Sequence, residues 1–301
     1  MIWSQNQHLV LKPKGHALIL QSGKLNRRPL SFRVEALRAT REIAQAAGAR
    51  EILIFLSGGM DSETVAQAFL KSGVRFRPVI ICFENGLNHH EVEPALKFCR
   101  RHRLKPQIIS FDLGRYVRSK WAKDVADRYP SFIAYQVLMK VMTHLHDGRR
   151  LFVLGTAEPE GVYRRGRAFL NEFSDDVQLS LFCSDRKLPA VCNFFFWSPE
   201  LYMSILMSAP YCFFIEQRGS LYVHTKPLKE DLFQSTFKVK KRRKHNGMEL
   251  ARTVYANELT ALEKSLKGVQ RLTYFSWSGE LRRLASGLVA SPPPGNKKRK
   301  L

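Results

Sequence analysis

An apolar run at residues 52–56 leads directly into a glycine-containing loop and then into a helical pattern. The loop reads Ser57-Gly58-Gly59-Met60-Asp61-Ser62. Two adjacent glycines allow positive φ angles and let an anion approach the backbone without a Cβ in the way. A helix that begins near Ser62 adds unpaired N–H groups and the positive end of its dipole. We interpret this junction as a phosphate-binding loop; the alternative is a plain strand-to-helix turn with a serine cap.

The side chains of the loop suit the same ligand. Ser57 and Ser62 place hydroxyl groups at its two rims, and Asp61 offers a carboxylate to a Mg²⁺ ion that bridges phosphate oxygens. No Gly-Lys-Ser or Gly-Lys-Thr follows, so the loop is not a Walker A motif, and it lacks the third glycine of the dinucleotide fingerprint. We therefore expect residues 57–62 to bind nucleotide phosphates, with Asp61 acting in catalysis and as the metal ligand.

The complete motif Ser-Gly-Gly-x-Asp-Ser resembles the signature of the PP-loop ATP pyrophosphatases. This superfamily includes asparagine synthetase, GMP synthetase, tRNA thiolases and phosphoadenylylsulfate reductase. The resemblance implies that ATP, bound with Mg²⁺, is cleaved between its α- and β-phosphates. It also implies that an acceptor carboxylate or carbonyl is adenylylated and that AMP and pyrophosphate are released.

Apolar runs alternate with helical patterns through the first half of the chain. The predicted strands are residues 52–56, 78–83, 107–111 and 151–154. Uniformly apolar strands separated by crossover helices predict a parallel sheet covered on both faces, in an α/β, Rossmann-like fold. Ligands of such sheets bind beyond the carboxyl ends of the strands, where Ser57, Phe83 and Gly155 fall.

Changes in this rhythm predict four regions. Residues 1–35 contain one or two short strands, and residues 36–165 form the α/β domain with the phosphate loop. Residues 166–268 are expected to be an irregular, mostly helical cap that includes a basic helix at 247–268. Residues 269–301 are basic and rich in proline near their end, which is typical of a disordered tail.

Two further segments are candidates for the nucleotide site. The resemblance implies that backbone groups near Phe83 read adenine and that an apolar side chain covers the base, although Phe83 also suits ordinary core packing. After the fourth strand, Gly155 and Thr156 would let the backbone lie against ribose or the α-phosphate. Glu158 in the same loop is a second candidate for binding Mg²⁺, and a solvated acidic loop is the alternative.

The densest run of positive charge lies at residues 238–244. PP-loop enzymes often supply a lysine from the C-terminal half to neutralise pyrophosphate, and the resemblance implies this catalytic role for Arg243 or Lys244. A strip that binds nucleic acid, or a plain solvated face, has the same composition. The loop motif, the aromatic segment at 194–201 and the basic segment at 242–249 together resemble little-characterised bacteriophage PP-loop proteins over about residues 35–250.

Composition limits the compartment and the partners. The net charge is +23, and residues 226–301 carry 18 Lys and Arg against 6 Asp and Glu, which favours nucleic acid as a partner of the C-terminal quarter. The five cysteines are scattered, which favours a reducing cytoplasm over a disulfide framework or a zinc ribbon. No apolar run is long enough to predict a membrane span. The acceptor stays open, and a nucleic-acid-modifying enzyme or a basic protein without turnover are the alternatives to a small-molecule ligase.

Overall fold

The computed structural model describes the backbone of most of the chain. The described residues are 9–14, 17–22, 25–156, 160–164, 167–171, 174–208, 214–217, 220–223, 226–240 and 247–263. The strands, numbered along the chain, are β1 (Leu9–Lys14), β2 (Ala17–Ser22), β3 (Glu51–Phe55), β4 (Arg77–Phe83), β5 (Gln107–Phe111), β6 (Arg150–Val153), β7 (Glu160–Arg164), β8 (Arg167–Asn171), β9 (Ala190–Val191), β10 (Phe214–Gln217) and β11 (Ser220–Val223). The helices are α1 (Phe32–Ala47), α2 (Met60–Ser72), α3 (His89–Arg101), α4 (Leu113–Val117), α5 (Lys120–Arg128), α6 (Ile133–Leu145), α7 (Ser174–Asp185), α8 (Pro199–Leu206), α9 (Lys226–Phe237), α10 (Glu249–Val254) and α11 (Ala256–Glu263).

A five-stranded parallel sheet with the order β5-β4-β3-β6-β9 forms the centre of the molecule. Helices flank it, which confirms the predicted α/β, Rossmann-like fold. The chain moves from β3 through β4 to β5 on one side and then returns to place β6 on the other side of β3. The carboxyl ends of β3 and β6 therefore flank a topological switch point, where sheets of this kind bind ligands.

Both faces of this sheet are buried. Leu53 and Ile54 of β3 point to opposite faces and are both fully buried. On one face the core includes α1 and the aromatic segment Phe194–Phe196, whose side chains are only 0–2% exposed. Ser198 caps α8 by accepting a hydrogen bond from the Leu201 amide at 3.1 Å, directly ahead of the proline at its first position.

The region after the parallel domain contains a second sheet that the sequence pattern did not predict. Strands β10, β11, β7 and β8 pair in that order, all antiparallel. Each strand has only four or five residues, so no apolar alternation is long enough to reveal them. β1 and β2 form a separate hairpin in the predicted N-terminal strand region.

The predicted basic helix at 247–268 is two helices in the structure. The chain leaves the helical conformation at Tyr255, between α10 and α11, and residues 264–268 lie outside the described part. None of the described helices has both the length and the apolar character that crossing a bilayer requires.

Candidate functional site at the switch point

Glycine is required at one position of the phosphate loop. Gly58 has a φ of +79°, whereas Gly59 has an ordinary φ of −74°. An added Cβ on Gly58 would lie 2.1 Å from the main-chain carbonyl oxygen of Glu91, in the first turn of α3. Gly58 therefore combines a left-handed backbone with a close approach to another part of the chain. The second glycine of the motif is not required by its φ angle.

The hydroxyl groups of the loop bond to its own backbone. Ser62 Oγ accepts from the Ser57 amide at 3.2 Å and donates to the Gly59 carbonyl at 3.1 Å. Ser57 Oγ accepts from the Gly59 amide at 3.3 Å and lies 3.2 Å from Ser62 Oγ. Two loop amides are thus engaged by rotatable hydroxyls at distances longer than the usual 2.9–3.0 Å. A phosphate oxygen at this place would replace weak bonds rather than a buried side chain.

Helix α2 begins at Met60, two residues before the predicted start, with Gly59 as its N-cap. Because the N-cap is a glycine, it has no side chain with which to cap the helix. Asp61 lies in the first turn, where a carboxylate interacts favourably with the helix dipole.

Lys229 of α9 reaches the same point from the C-terminal half of the chain. Its Nζ donates to both carboxylate oxygens of Asp61, at 3.0 and 3.1 Å. The lysine side chain is only 7% exposed and that of Asp61 is 19% exposed. The pair neutralises Asp61, so the carboxylate does not cancel the positive end of α2. The structure therefore combines a helix N-terminus, a flexible hydroxyl pair and a buried ammonium group.

Lys229 was not predicted to be a site residue, although the sequence contains a signal for it. Lys229, Leu232 and Phe233 have the i, i+3, i+4 spacing of one helix face, and all three are buried. A lysine on a buried apolar face needs an acidic partner. The sequence does not show which acidic residue that partner is, because Asp61 lies 168 positions away.

The end of β6 packs directly against the first turn of α2. A Cβ on Gly155 would lie 2.6 Å from Val65 Cγ2 and 3.0 Å from the Asp61 carbonyl oxygen. A side chain at residue 155 would push the two elements apart. Glycine here therefore allows the loop after β3 and the end of β6 to meet, as the sheet order requires.

A buried acidic network lies behind this end of β6. Asp176 is fully buried and accepts hydrogen bonds from Tyr135 Oη at 2.9 Å and from Asn193 Nδ2 at 3.0 Å. The Thr156 hydroxyl also bonds to Asp176, and it lies 3.4 Å from the Cys192 carbonyl oxygen. Burial outweighs these donors and raises the pKa of Asp176 to about 7. No local pattern in the sequence indicates that Thr156 contacts this carboxyl group.

Phe83 is a core residue in the structure. Its side chain is 8% exposed and its ring centroid lies 6.0 Å from that of Phe111. The Phe83 amide donates to Asn88 Oδ1 at 2.8 Å, and Asn88 Nδ2 donates to the Ile81 carbonyl at 2.9 Å. Asn88 therefore holds the end of β4, and its side chain does not cap α3, which begins at the next residue. The Phe83 amide and the Ile81 carbonyl therefore both form hydrogen bonds within the protein.

The first turn of α3 contacts the loop and the segment that begins at Gly247. Glu91 supports Gly58 through its carbonyl group, and its carboxylate would lie 2.2 Å from a Cβ on Gly247. Gly247 has a φ of +72°, so it too requires glycine. Burial and the nearby charge of Glu249 raise the pKa of Glu91 to about 7.

The remaining predicted site residues, Glu158, Arg243 and Lys244, lie outside the described residues. Within the described part, no group of three or more His, Cys, Asp or Glu side chains is arranged to hold a metal ion. Magnesium is usually held in nucleotide sites by one or two carboxylates together with phosphate oxygens and water. Asp61 fits that mode of binding and does not form part of a dedicated protein cage.

Comparisons with known proteins give distant structural similarities only. No family model and no curated protein matches the chain. The chain is similar to the structure of an NMN synthetase from Francisella tularensis, with 11% identity, a TM-score of 0.33 and coverage of 81% of this chain and 97% of the other. It is also similar to an NAD+ synthetase from Burkholderia pseudomallei, with 15% identity, a TM-score of 0.30 and coverage of 75% and 88%. Similarities this distant do not assign an activity to the chain.

Proposed function

We propose that this protein is an ATP-dependent enzyme that adenylylates an acceptor and releases pyrophosphate. One observation carries the proposal: Lys229 reaches the start of α2 and neutralises Asp61 there. A helix N-terminus and an ammonium group suit a bound polyphosphate. The motif at residues 57–62 adds its resemblance to the PP-loop ATP pyrophosphatases.

The described residues suggest a division of roles. The backbone of Gly58 and the first amides of α2 would bind the β- and γ-phosphates, and Ser57 and Ser62 would turn their hydroxyls toward the same oxygens. An acceptor oxygen attacks the α-phosphorus, and the bond to the β-phosphate breaks as pyrophosphate leaves with the electron pair. Lys229 would neutralise the charge that develops on this leaving group. Arg243 and Lys244 are proposed to contribute further positive charge from the basic segment.

Magnesium fits this site as a companion of the nucleotide. Asp61 would hold the ion, and Glu158 is proposed as a second ligand. The ion would supply charge neutralisation between phosphate oxygens. Because Asp61 also bonds to Lys229, we expect the lysine to shift toward the phosphates when the carboxylate binds a metal.

The acceptor class divides the candidate functions. A small carboxylate or carbonyl compound would make the protein a ligase, and RNA or DNA would make it a nucleic-acid-modifying enzyme. The net charge of +23 favours the second class. A basic protein that retains the fold without turnover is the third candidate, and we expect such a protein to have no need of the Lys229–Asp61 pair.

Labelled ATP tests the proposal directly. The full chain is incubated with Mg²⁺ and ATP labelled at the α- or γ-position, with pools of small carboxylates and with total cellular RNA and DNA as acceptors. We expect the α-label on the adenylylated acceptor, or on AMP once water or a second nucleophile displaces AMP from that acceptor, and labelled pyrophosphate from the γ-label. Both products should be lost in Lys229→Met. Release of ADP and inorganic phosphate, or the absence of ATP binding by calorimetry, would contradict the proposal.

A further inference from the structure

We propose that the surface formed by the amino-terminal ends of the parallel strands, at the end of the sheet opposite the phosphate loop, binds single-stranded nucleic acid. One nucleotide would occupy a cleft in this surface. In a parallel sheet all strands begin at the same end, so the residues that lead into them are neighbours. These residues bring seven cations and two carboxylates to the amino-terminal end of the sheet. The cations are Arg50, Arg75, Arg77, Arg103, Lys105, Arg149 and Arg150, and the carboxylates are Glu51 and Asp147.

This end of the sheet contains a cleft with a volume of about 570 Å³, which is the size of a small-molecule site. Its apolar lining includes Ile52, Val74 and Phe76. Four of the cations line it as well, namely Arg50, Arg75, Arg77 and Lys105. An apolar floor with a cationic rim suits a ligand that has both a flat ring and a phosphate.

Neutralisation of helix dipoles does not account for these cations. The last turns of α2 and α3 already contain Lys71 and Arg100. Arg75 and Lys105 are exposed and make no ion pair with any carboxylate in the described part of the chain. They are therefore available to an external anion.

Arg50 and Arg77 line the same cleft and make contacts within the protein. Arg77 pairs with Glu51 at 2.8 Å, and Arg50 Nη1 donates to the Ala47 carbonyl oxygen at 3.3 Å. The Arg50 Nε–H group is buried and has no hydrogen-bond partner among the described residues. An unsatisfied buried donor on a guanidinium group favours an acceptor oxygen from a ligand.

The extent and lining of the surface favour a single strand over a free nucleotide or a duplex. The four strands that supply the cations span about 15 Å at the usual strand spacing, which exceeds one nucleotide. The cations continue past the cleft to Arg149 and Arg150. The half-buried ring of Phe76 offers an apolar face to an unpaired base, which a duplex keeps stacked on its neighbours. This surface lies at the amino-terminal ends of the strands, whereas the candidate ATP site lies at their carboxyl ends. Nucleic-acid binding here does not depend on the proposed reaction.

Fluorescence anisotropy of the full chain with a labelled oligonucleotide of about 12 nucleotides tests the inference, since single-strand binding folds cover lengths of this order. The test variant is Arg75→Gln with Lys105→Gln, which removes two exposed cations from the cleft. The matched control is Lys120→Gln with Lys123→Gln, which removes the same charge from the exposed side of α5. We expect roughly tenfold weaker binding for the cleft variant, with a slope of log K against log salt that is shallower by about 1.4, from two lost phosphate contacts.

Several results would overturn the inference. Equal losses in the two double variants would show a general charge effect, and an unchanged cleft variant would place the binding elsewhere, including the basic C-terminal quarter. A duplex of the same sequence that binds as tightly, or full competition by equimolar AMP, would exclude an unpaired strand as the ligand. Photo-crosslinking is expected to label residues 74–77, and ATP binding at the phosphate loop is expected to be unchanged.

Discussion

Lys229 donates hydrogen bonds from Nζ to both carboxylate oxygens of Asp61, across 168 positions of sequence. The pair fixes α9 against the start of α2, so a helix from the C-terminal half of the chain forms one wall of the loop at the carboxyl end of β3, the central strand of the sheet. The consequence is that the phosphate loop and the second half of the chain form one site. The stability of that site and its ligand affinity are expected to respond together when the pair is changed.

Replacing Lys229 with methionine should destabilise the protein and weaken ATP binding. The variant leaves a mostly buried carboxylate without its cation, and we expect the free energy of unfolding to fall by about 2–3 kcal/mol, somewhat less than for fully buried pairs. Asp61→Asn combined with Lys229→Met should recover part of the loss. Urea unfolding and calorimetry with ATP measure both effects. The control Lys97→Met breaks an exposed pair with Glu93 and should change stability little, because solvent screens such pairs. Equal effects in the two variants would contradict the assignment.

Gly58→Ala should abolish ATP binding, because the new Cβ would meet the Glu91 carbonyl oxygen at 2.1 Å and the loop would have to move. Gly73→Ala is a matched control. Gly73 has a similar φ of +73° at the end of the same helix, but nothing lies within 4 Å of its Cβ position. We expect the control to lose about 1 kcal/mol of stability and to bind ATP normally. ATP titration of Gly58→Ala with wild-type affinity would refute this account of the loop.

The Ser62 hydroxyl group contacts three other groups of the loop. Ser62→Ala should therefore loosen the loop and reduce ATP affinity roughly tenfold, because a hydrogen bond to a charged phosphate oxygen is lost. Ser72→Ala removes a hydroxyl from the other end of α2, where it donates to the Phe69 carbonyl oxygen at 2.9 Å. The control should leave ATP affinity unchanged. Calorimetric titration distinguishes the variants, and an equal loss in both would point to a general effect on the helix.

Stability should depend on pH through Asp176. Its pKa is raised from 3.8 to about 7 in the folded protein, so the folded state binds the proton more tightly than the unfolded chain. The stabilisation from the protonated acid is complete below about pH 4 and is lost as the pH rises to about 7. Asp176→Asn removes this contribution, so the stability of wild type relative to the variant should fall across that range. Urea unfolding at a series of pH values measures the difference.

Asp147 provides a control of opposite sign. It is exposed, and the backbone amide of Arg149 lowers its pKa below 3.8 in the folded protein. Its stabilisation is present above about pH 4 and is lost as the pH falls. Asp147→Asn should therefore remove stability that appears only toward higher pH. A wild-type profile that matches that of Asp176→Asn at every pH would show that Asp176 stays ionised in the fold.

Local patterns were sufficient to predict four strands of the parallel sheet, β3 to β6, and the helix that follows the phosphate loop. The two-residue strand β9 was not predicted, because it is too short to show a pattern. The Lys229–Asp61 pair and the Asp176 network join residues from different elements, so no local spacing indicates them. At the end of β4, the residue type is not sufficient to predict the contact. Asparagine often caps helices, and only the packed structure shows that the Asn88 side chain bonds to the preceding strand instead.

The contact of Glu91 with Gly58 and Gly247 has a practical consequence for shortening the chain. Removing the basic C-terminal residues is an obvious way to reduce non-specific adhesion during purification. A cut before Gly247 would also strip a neighbour from the turn that supports the loop. Truncation should therefore begin after Glu263, where the last described helix ends.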